Sequence, residues 1–484
     1  MKNRWSLVIH DVGNDFANIW VGTLFPNERK FERCSVVLID QLDAEVQRVE
    51  ILREHWLRPF SGLDQRFYKT ISFSQLQAGT KYRVEFRREL ELMDVGSIEA
   101  KPLVVGSFRT LPTSINATDK PFVVALGSCF YDESDGGKVS DAYTALTVAG
   151  SPSEQPDVKF LTGDQVYLDI GLDSLSPVEC EIRNRIADDY AASWQALRGM
   201  LRSGGTWMLA DDHEYWNNFP NTSGKNPYLW MITLSDKVKS IWKSAAQEGI
   251  DNVQNIRAVR TFSIGSDVSF CVADVRCQRT ETEFLGQHDF AHLIDWAQTL
   301  TCPGVLAIAQ PLMVYKGGSA DKNLANYTQQ YSHLLRALAH SGHDIVVLSG
   351  DVHFGRVGSV PLGSNGTVMH EIISSPLSNL TGIDGRIASG RAYKIKHFPV
   401  VPIAGLAQRS VNYESKWRIA GKRVRSWFSP LSYTKTKEHF FTLAFSKTPS
   451  GELQLEAQAW LPRERTRSRL PKKQFLRPIR LTLN

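Results

Sequence analysis

The sequence lacks several features that mark specialised classes of protein. Its 484 residues include six cysteines, none of them in a close Cys-x-x-Cys pair, so a zinc ribbon or a thioredoxin-like motif is not supported. It has no run of about twenty apolar residues, so we expect no membrane span. The opening stretch MKNRWSLVIHDVGNDFANIW has no apolar segment of the length of an export signal. We therefore expect reduced thiols and a cytoplasmic location.

A strong charge of one sign is also lacking. The 56 basic and 51 acidic residues leave a formal net charge of +5, too small an excess to indicate nucleic-acid binding, and no nucleic-acid-binding motif is found. Basic residues do crowd between Arg463 and Lys473. They fit a solvated turn between strands, or a patch that attracts a polyanionic substrate. Hydrophobic content of 42% and charged content of 22% indicate an ordinary globular protein.

Residues 1–112 have the pattern of an antiparallel β-sandwich. Apolar and polar residues alternate in short stretches that turn residues separate. The stretches LQAGTKYRVEF and GSFRTLP resemble the last strands of a fibronectin-III-like domain. A polar linker bracketed by Pro112 and Pro121 follows, as expected at a domain boundary. The alternating stretches are Trp5–Ile9, Ser35–Ile39, Val46–Ile51 and Tyr82–Phe86.

Residues 121–484 have the pattern of a layered α/β domain, with a β-sheet core flanked by helices. Short, nearly continuous apolar runs indicate strands that are buried on both faces. Segments with helical spacing separate several of these runs and would cover the sheet faces. The stretches HFFTLAFSK and GELQLEAQAWLP predict a terminal β-hairpin. The predicted helices are Glu181–Arg202, Tyr228–Ala246, His288–Leu300 and Ala325–His340.

Residues that can bind metal follow almost every apolar run. In open α/β sheets, the loops beyond the carboxyl ends of the strands converge on one crevice. One strand that ends in Asp means little, but this repetition predicts a shared site. The residues are Cys129, Asp164, Asp211, Asp212, Asp274 and Asp351.

The run Asp211-Asp212-His213-Glu214 is the most specific of these features. It follows the apolar run WMLA, and four ionisable groups near a core are costly when they are left unpaired. Neighbouring carboxylates repel each other unless a cation neutralises them. Bound cations are therefore the simplest explanation of the run.

Two further motifs combine glycine with possible ligands. Gly163 allows a sharp turn before Asp164, which is interpreted either as a metal ligand or as a helix N-cap. Asp351 and His353 lie two residues apart, so in an extended chain both would face one ion. Carboxylates favour hard cations, and imidazole suits iron, manganese or zinc.

Cys129 has two interpretations. A buried free cysteine is usually a small apolar residue. Cys129, however, follows the strand VVALG at the position where other strands present their ligands. A thiolate there would favour iron or zinc over magnesium.

Together these motifs resemble the PhoD-like alkaline phosphatase and phosphodiesterase family of the metallophosphatases. Their order and spacing agree over roughly 121–380, and the β-sandwich with its FRTLP exit is similar to the N-terminal domain of that family. The matching stretches are GSCF (127–130), LTGDQVYLD (161–169), LADDHEYWNN (209–218), VADVRCQR (272–279), FLGQHDFAHLIDW (284–296) and LSGDVHF (348–354).

The resemblance implies an iron ion held partly by cysteine, with calcium or another divalent metal such as manganese or zinc beside it. It implies that Asp164 bridges the metals and that Asp212 and Asn218 bind the second ion. The family also places a tyrosine ligand on the helix before the Asp-Asp-His-Glu run, for which Tyr190 is the nearest candidate. The full set of expected ligands is Cys129, Asp164, Tyr167, Tyr190, Asp211, Asp212, Asn218, Asp351 and His353.

The predicted activity is the hydrolysis of phosphate mono- or diesters by a metal-activated hydroxide. His213 is the candidate for protonating the leaving alkoxide or orienting the phosphate, and Glu214 beside it completes the predicted catalytic pair. Arg276 either clamps a phosphate oxygen or forms a structural ion pair with Asp274.

The alternative is a metal-stabilised binding or scaffold protein that keeps the fold without turnover. Residues that can bind metal are present in every motif, which argues against this alternative. A site that had lost its activity would be expected to carry other residues at these ligand positions. The basic segment from Gly382 to Ser426 is interpreted as a cover over the site or as an ordinary surface excursion.

Overall fold

The computed structural model describes most of the chain. The basic segment between Gly382 and Ser426 lies partly outside the described residues, including everything in it before residue 393. The described ranges are 3–92, 97–116, 119–133, 135–170, 175–222, 227–319, 322–363, 366–378, 393–414, 418–425 and 432–484.

Two antiparallel sheets form the N-terminal part. One has the strand order β1-β2-β5 and the other β4-β3-β6-β7. Apolar side chains of both sheets, such as Ile19 and Val36, pack in a common core, which explains the alternating pattern of this region. The strands are β1 (Ser6–Val12), β2 (Ala17–Thr23), β3 (Arg33–Ile39), β4 (Glu45–Leu52), β5 (Phe67–Phe73), β6 (Lys81–Leu92) and β7 (Ser97–Arg109).

The remainder of the chain contains two seven-stranded sheets, the first and second central sheets. Their strand orders are β10-β9-β8-β22-β23-β24, with β25 paired to β23, and β11-β12-β13-β14-β16-β15-β19. Strands β8, β9 and β10 run parallel, as do β12, β13, β14 and β16. The strands are β8 (Phe122–Gly127), β9 (Val158–Thr162), β10 (Gly205–Leu209), β11 (Val259–Ile264), β12 (Val268–Ala273), β13 (Gly304–Ala307), β14 (Ile345–Ser349), β15 (Arg356–Pro361), β16 (Val368–Ile373), β17 (His397–Phe398), β18 (Arg409–Ser410), β19 (Asn412–Tyr413), β20 (Gly421–Arg425), β21 (Ser432–Thr436), β22 (Phe440–Lys447), β23 (Leu453–Arg465), β24 (Pro471–Lys473) and β25 (Ile479–Leu483).

The two central sheets face each other, and helices cover their outer faces. Val124 and Phe160 of the first sheet share a core with Val346 of the second, whereas Ala125, next in the chain to Val124, faces the helices. Successive strand residues point to opposite faces, so continuous apolar runs are required here. The helices are α1 (Lys138–Ala149), α2 (Glu179–Leu201), α3 (Pro227–Ile232), α4 (Asp236–Gly249), α5 (Gln287–Gln298) and α6 (Thr328–His340).

The layered α/β prediction is confirmed, with two corrections in detail. The helix predicted over Tyr228–Ala246 is in fact α3 and α4, because the side chain of Ser235 caps a new helix by accepting from Val238 N at 3.2 Å. The predicted terminal hairpin forms as β22 and β23, but β22 also pairs with β8 and thereby extends the first central sheet. Within the described residues, no helix is long and apolar enough to cross a membrane.

Candidate metal centre

The residues that follow the parallel strands meet at one edge of the two central sheets. Cys129, Asp164 and Asp211 come two residues after β8, β9 and β10, and Asp351 comes two residues after β14. Parallel strands present their carboxyl ends at the same edge, so the loops of both sheets face each other there. The convergence expected from the sequence is therefore present.

Glycine allows these loops to touch. A Cβ atom at Gly163 would lie 2.5 Å from the Cβ of Asp211, and one at Gly350 would lie 2.1 Å from Ser128 Oγ. Gly163 also has φ of 95°, a region that other residues rarely adopt. The loops can approach this closely only without side chains at the two positions.

Backbone strain concentrates at the same edge. Ten non-glycine residues among those described have positive φ, and five of them are expected metal ligands. Each such residue costs on the order of 1–3 kcal/mol, and strain of this kind clusters at functional sites. The five are Cys129 (57°), Asp164 (57°), Asn218 (64°), Asp351 (63°) and His353 (52°).

The expectation that Asp351 and His353 share a face of an extended chain is wrong. Both residues are left-handed and lie in a loop beyond Ser349, the last residue of β14. His353 N donates to Asp351 O at 2.9 Å, so the loop is a tight turn. This turn, rather than the pleat of a strand, determines where the two side chains point.

Asp164 is the common member of three clusters at this edge that could hold a metal ion. Cys129, Asp164 and His353 offer ligand atoms within 4.8 Å of one another. The same limit holds for Asp164 with Asp212 and His213, and for Asp164 with Asp211, Asp212 and Asp351. Cys129 Sγ lies 3.4 Å from Asp164 Oδ2. Asp164 therefore belongs both to the group that contains Cys129 and to the groups that contain Asp212.

The carboxylates of this cluster are buried close together, so nearby positive charge would stabilise their ionised forms. Burial raises the pKa of Asp164 well above its usual value, and the neighbouring Asp212 and Asp211 raise it further, while His213 opposes them. Burial likewise raises the pKa of Asp211 to about 6 against the effect of Arg276. Buried carboxylates with raised pKa values are ionised most readily when a cation lies beside them.

Asp211 Oδ2 is buried and has no hydrogen-bond partner among the described residues. The hydroxyl of Tyr167 is also buried, and it lies against the thiol of Cys129, a weak hydrogen-bonding group. Burial raises the pKa of Tyr167 well above its usual value, and the adjacent Cys129 and Asp164 raise it further. Buried polar atoms are nearly always satisfied, so these two oxygens fit the role of metal ligands.

Asp212 is held by backbone contacts and a guanidinium. Its Oδ2 accepts from Asn218 N at 2.5 Å, and its Oδ1 lies 3.8 Å from the Arg276 guanidinium. Burial acts to raise the pKa of Asp212, but Arg276, His213 and the hydrogen bond from Asn218 hold it below its ordinary value. Because its pKa is lowered, the carboxylate of Asp212 favours the ionised form, which is the form that can bind a metal ion.

His213 lies at the edge of the cluster in a fixed orientation. Its Nδ1 is 2.6 Å from Asp169 Oδ1, and its ring packs 4.4 Å from the ring of Tyr167. Burial lowers the pKa of His213, but Asp169, Asp164 and Asp212 together raise it well above its usual value. Asp169 was not among the predicted site residues, although it ends the stretch LTGDQVYLD that carried the resemblance.

Glu214 is part of the framework rather than of the open site. It is fully buried, and its carboxylate accepts from the backbone N–H groups of Asp164 at 2.9 Å, Gln165 at 2.7 Å and Asp211 at 2.9 Å. Gln254 donates to it as well, at 3.1 Å. Both oxygens thus tie the β9 and β10 loops together, and the catalytic role of Glu214 stays a prediction.

Arg276 pairs with a residue other than the expected one. Its guanidinium forms a buried ion pair with Asp211 and donates to Phe219 O at 2.8 Å. Asp274 accepts from the backbone N–H groups of Ala210 and Arg276, at 2.8 and 3.0 Å. The ion pair that we anticipated with Asp274 is made with Asp211 instead, and the phosphate clamp stays a prediction.

Tyr190 does not join the cluster. Its hydroxyl donates to Gln254 Oε1 at 3.1 Å, and its ring packs against Trp194 in the core under α2. Gln254 and Glu214 lie between Tyr190 and Asp164 in this hydrogen-bond chain. The tyrosines that pack beside Cys129 are Tyr131 and Tyr167.

Two further residues that support the cluster were not predicted. Ser375 Oγ donates to Cys129 Sγ at 3.2 Å and accepts from His353 N at 3.0 Å. Gln310 Nε2 donates to Asp351 Oδ2 at 2.9 Å. Ser375 follows β16, and Gln310 follows β13. The sequence analysis selected ionisable or metal-binding residues that follow a strand. A search for neutral polar residues at the same places would have found these two.

The donor set suits two kinds of ion. Thiol, phenol and imidazole groups favour a transition metal such as iron or zinc, and carboxylate oxygens favour a hard divalent cation. Within the described residues, the ligand-type side chains of this buried cluster outnumber the two guanidinium groups, those of Arg276 and Arg279, that act on its carboxylates. The residues present therefore fit a centre that holds more than one metal ion.

Comparison with known proteins finds similarity in the fold. No protein-family model and no curated protein sequence matches the chain. The solved structure of PhoD is similar with a TM-score of 0.62 and 15% identity, over 99% of this chain and 88% of that chain. The purple acid phosphatase PPD1 from yellow lupin (Lupinus luteus) seeds is similar with a TM-score of 0.52 and 11% identity, over 94% of this chain and 72% of that chain. The chain thus has the fold of these two phosphatases.

Proposed function

We propose that this chain is a metal-dependent phosphoesterase that hydrolyses phosphate mono- or diesters. The observation that carries the proposal is the buried cluster around Asp164, where thiol, imidazole and carboxylate groups converge. The fold similarity to two phosphatases supports it. A phosphate-ester substrate is consistent with such a centre, because metal ions offset the charge of phosphoryl oxygens.

The cluster divides into two sets of ligands. Cys129, Tyr167 and His353 would hold an iron ion, and Asp212 with Asn218 would hold calcium or another divalent ion. Asp164 would contact both ions. When bound, these metals supply charge neutralisation and a water molecule acidic enough to react near pH 7. Asp211 and Asp351 would complete the centre.

His213 would act on the leaving group. Asp169 accepts a hydrogen bond from Nδ1, which leaves Nε2 as the ring nitrogen that can hold a proton for the leaving oxygen. The ring of Tyr167, which packs against the imidazole at a tilt of 35°, restricts its rotation. Arg276 would keep Asp211 and Asp212 ionised and in place.

We further propose that the N-terminal sheets form a fibronectin-III-like domain. The strand orders β1-β2-β5 and β4-β3-β6-β7 around one core support this assignment. The sandwich contacts the rest of the chain through Trp20 Nε1, which donates to Asn252 O at 2.9 Å. It would act as a support for the catalytic part.

The proposed function is tested by metal analysis together with hydrolysis of p-nitrophenyl phosphate and bis-p-nitrophenyl phosphate. The purified protein should contain iron and a divalent metal, and its activity should be lost on chelation. Asp164→Asn should lose both metals and activity. Asp295→Asn makes the same chemical change at an exposed position of α5 and should change neither. Protein that stays free of metal and inactive after addition of iron, calcium or manganese would favour a scaffold role.

A further inference from the structure

A second group of metal-ligand side chains lies at the exposed beginning of α5. His288 and His292 are four residues apart in the helix, so they project from the same face, and their ring centroids lie 4.3 Å apart. Asp289 Oδ1 lies 3.5 Å from His288 Nδ1. One ligand atom from each of the three residues lies within 4.8 Å of the others. None of the three belongs to the candidate metal centre.

The three ligands stand on a rigid support. Asp289 Oδ2 accepts from Gln278 Nε2 at 2.6 Å, and Gln278 Oε1 accepts from Gly286 N at 2.9 Å. The opposite face of the helix is anchored in the core, where Leu293 is fully buried. The carboxylate is therefore oriented before any ion binds, which lowers the entropic cost of binding.

The chemistry of this group selects a transition metal. Two imidazole nitrogens and one carboxylate oxygen suit Zn²⁺, which takes such ligands in tetrahedral geometry, whereas Ca²⁺ and Mg²⁺ prefer oxygen ligands only. Both histidines are exposed, so small rotations about their side-chain bonds can bring the nitrogens to about 2.0–2.1 Å from an ion.

The dipole of α5 disfavours a cation at the N-terminus of the helix, but only weakly. Solvent screens this effect at an exposed position. The negative charge of Asp289 in the first turn acts in the opposite direction. Coordination of the ion by neutral imidazoles is much stronger than the effect of the helix dipole. We therefore expect the ion to bind despite the dipole.

We propose that His288, Asp289 and His292 bind one Zn²⁺ ion on the surface of the chain, with water as the fourth ligand. This site is separate from the centre around Asp164, so it neither requires nor tests the phosphoesterase function. Three protein ligands leave one coordination position open to solvent.

The test is a titration of the full chain with ZnCl₂, followed by calorimetry. The double variant H288A/H292A should bind one zinc ion fewer than the unmodified chain. D289N should bind that ion about tenfold more weakly or worse, since loss of even an outer-sphere partner commonly has this effect. The matched control is H340A/H343A, which removes two histidines that form no such group, and it should bind zinc like the unmodified chain.

A second readout uses Cu²⁺ as a probe of the same ligands. Electron paramagnetic resonance of the unmodified chain should show coupling to two imidazole nitrogens, and H288A/H292A should lose that signal. The circular dichroism spectrum and the urea unfolding midpoint of the two metal-free proteins should be equal, which shows that the variant is folded. Equal zinc stoichiometry in the two proteins, or an unchanged copper spectrum, would overturn the proposal. Unchanged zinc affinity in D289N would overturn the part assigned to Asp289.

Discussion

At the scale of single residues, the cluster is organised by side chains that orient other side chains. Asp169 orients His213, Gln310 orients Asp351, and Ser375 connects His353 with Cys129. Such partners restrict the rotamers of ligands and catalytic groups before substrate or metal binds. Their contributions are separable by experiment, because each one acts on a different group.

We predict that His213→Ala lowers kcat most for esters with a poor leaving group. General acid catalysis contributes about 10²–10⁴-fold, and p-nitrophenolate needs little protonation to depart. Phenyl phosphate should therefore show a loss in this range, while p-nitrophenyl phosphate shows a clearly smaller one, with metal content unchanged in both cases. Asp169→Asn should show the same trend to a lesser degree. Equal losses for the two substrates would contradict the role of His213.

We predict that Ser375→Ala weakens metal binding by about 10–100-fold, as is typical for an outer-sphere partner. The variant loses the hydroxyl that donates to Cys129 Sγ and accepts from His353 N. Competition with a chelator measures the affinity, and the thiolate-to-metal absorption band reports the sulfur environment. Ser375→Thr keeps the hydroxyl and should restore both. An Ala variant with unchanged affinity and spectrum would show that Ser375 has no such role.

At the scale of elements, the strand-end loops carry the site, and the strands hold those loops in contact. Glu214 joins the β9 and β10 loops through three backbone N–H groups. Gly163 permits the same two loops to approach to van der Waals contact. The left-handed residues in these loops are held by the surrounding structure rather than by their own preference.

We predict that Gly163→Ala destabilises the fold and disrupts the centre. Alanine in a left-handed conformation costs about 1–2 kcal/mol, and its Cβ would also lie 2.5 Å from Asp211 Cβ. Gly451→Ala is the matched control, since Gly451 has a similar φ of 89° but nothing within 4 Å of the added atom. Urea unfolding should show a larger loss for Gly163→Ala than for the control, and metal content should fall in that variant alone. Equal losses would mean that the loop contact is unimportant.

At the scale of the whole molecule, two central sheets and an N-terminal sandwich pack together. His10 of β1 is buried where the sandwich meets the rest of the chain, near Arg260 and Lys159. Buried charges also cross this boundary, because Arg260 donates to Asp11 at 2.9 Å. The stability of the whole chain is therefore sensitive to protonation at this interface.

We predict that His10 makes the fold less stable in acid. Burial, Arg260 and Lys159 lower the pKa of His10 from 6.5 to about 3. Because the folded pKa is depressed, the unfolded chain takes up a proton between pH 6.5 and pH 3 that the folded chain does not, so stability falls as pH falls through this window. Urea unfolding at pH 7.5 and pH 5 should show this loss, and it should be smaller in His10→Gln. A variant with the same pH dependence as the unmodified chain would exclude His10 as a cause.

We also predict that chelation lowers the melting temperature of the unmodified chain. A ligand that binds only the folded state stabilises it by about 2.7 kcal/mol at a concentration of one hundred times Kd. Removal of the ions leaves the carboxylates around Asp164 with less compensating charge, because Arg276 and His213 then act on them without the metals. Asp164→Asn, which should hold no metal at this centre, serves as the control in zinc-free buffer and should melt at the same temperature with and without chelator. A shift of equal size in both proteins would mean that the chelator acts elsewhere.

The sequence by itself determined the layered α/β architecture and the residues that follow each buried strand. An apolar run that must be buried on both faces is a local signal of the sequence. A polar residue within three positions after such a run is another, as at Cys129, Asp164, Asp212 and Asp351. Only the tertiary structure decided which residues contact one another. Ser375 lies far from Cys129 in the chain, and Tyr167 rather than Tyr190 lies beside that cysteine. These contacts depend on the order of the strands, on the way the two sheets pack face to face and on left-handed turns. None of these features produces a periodic pattern of residues in the sequence.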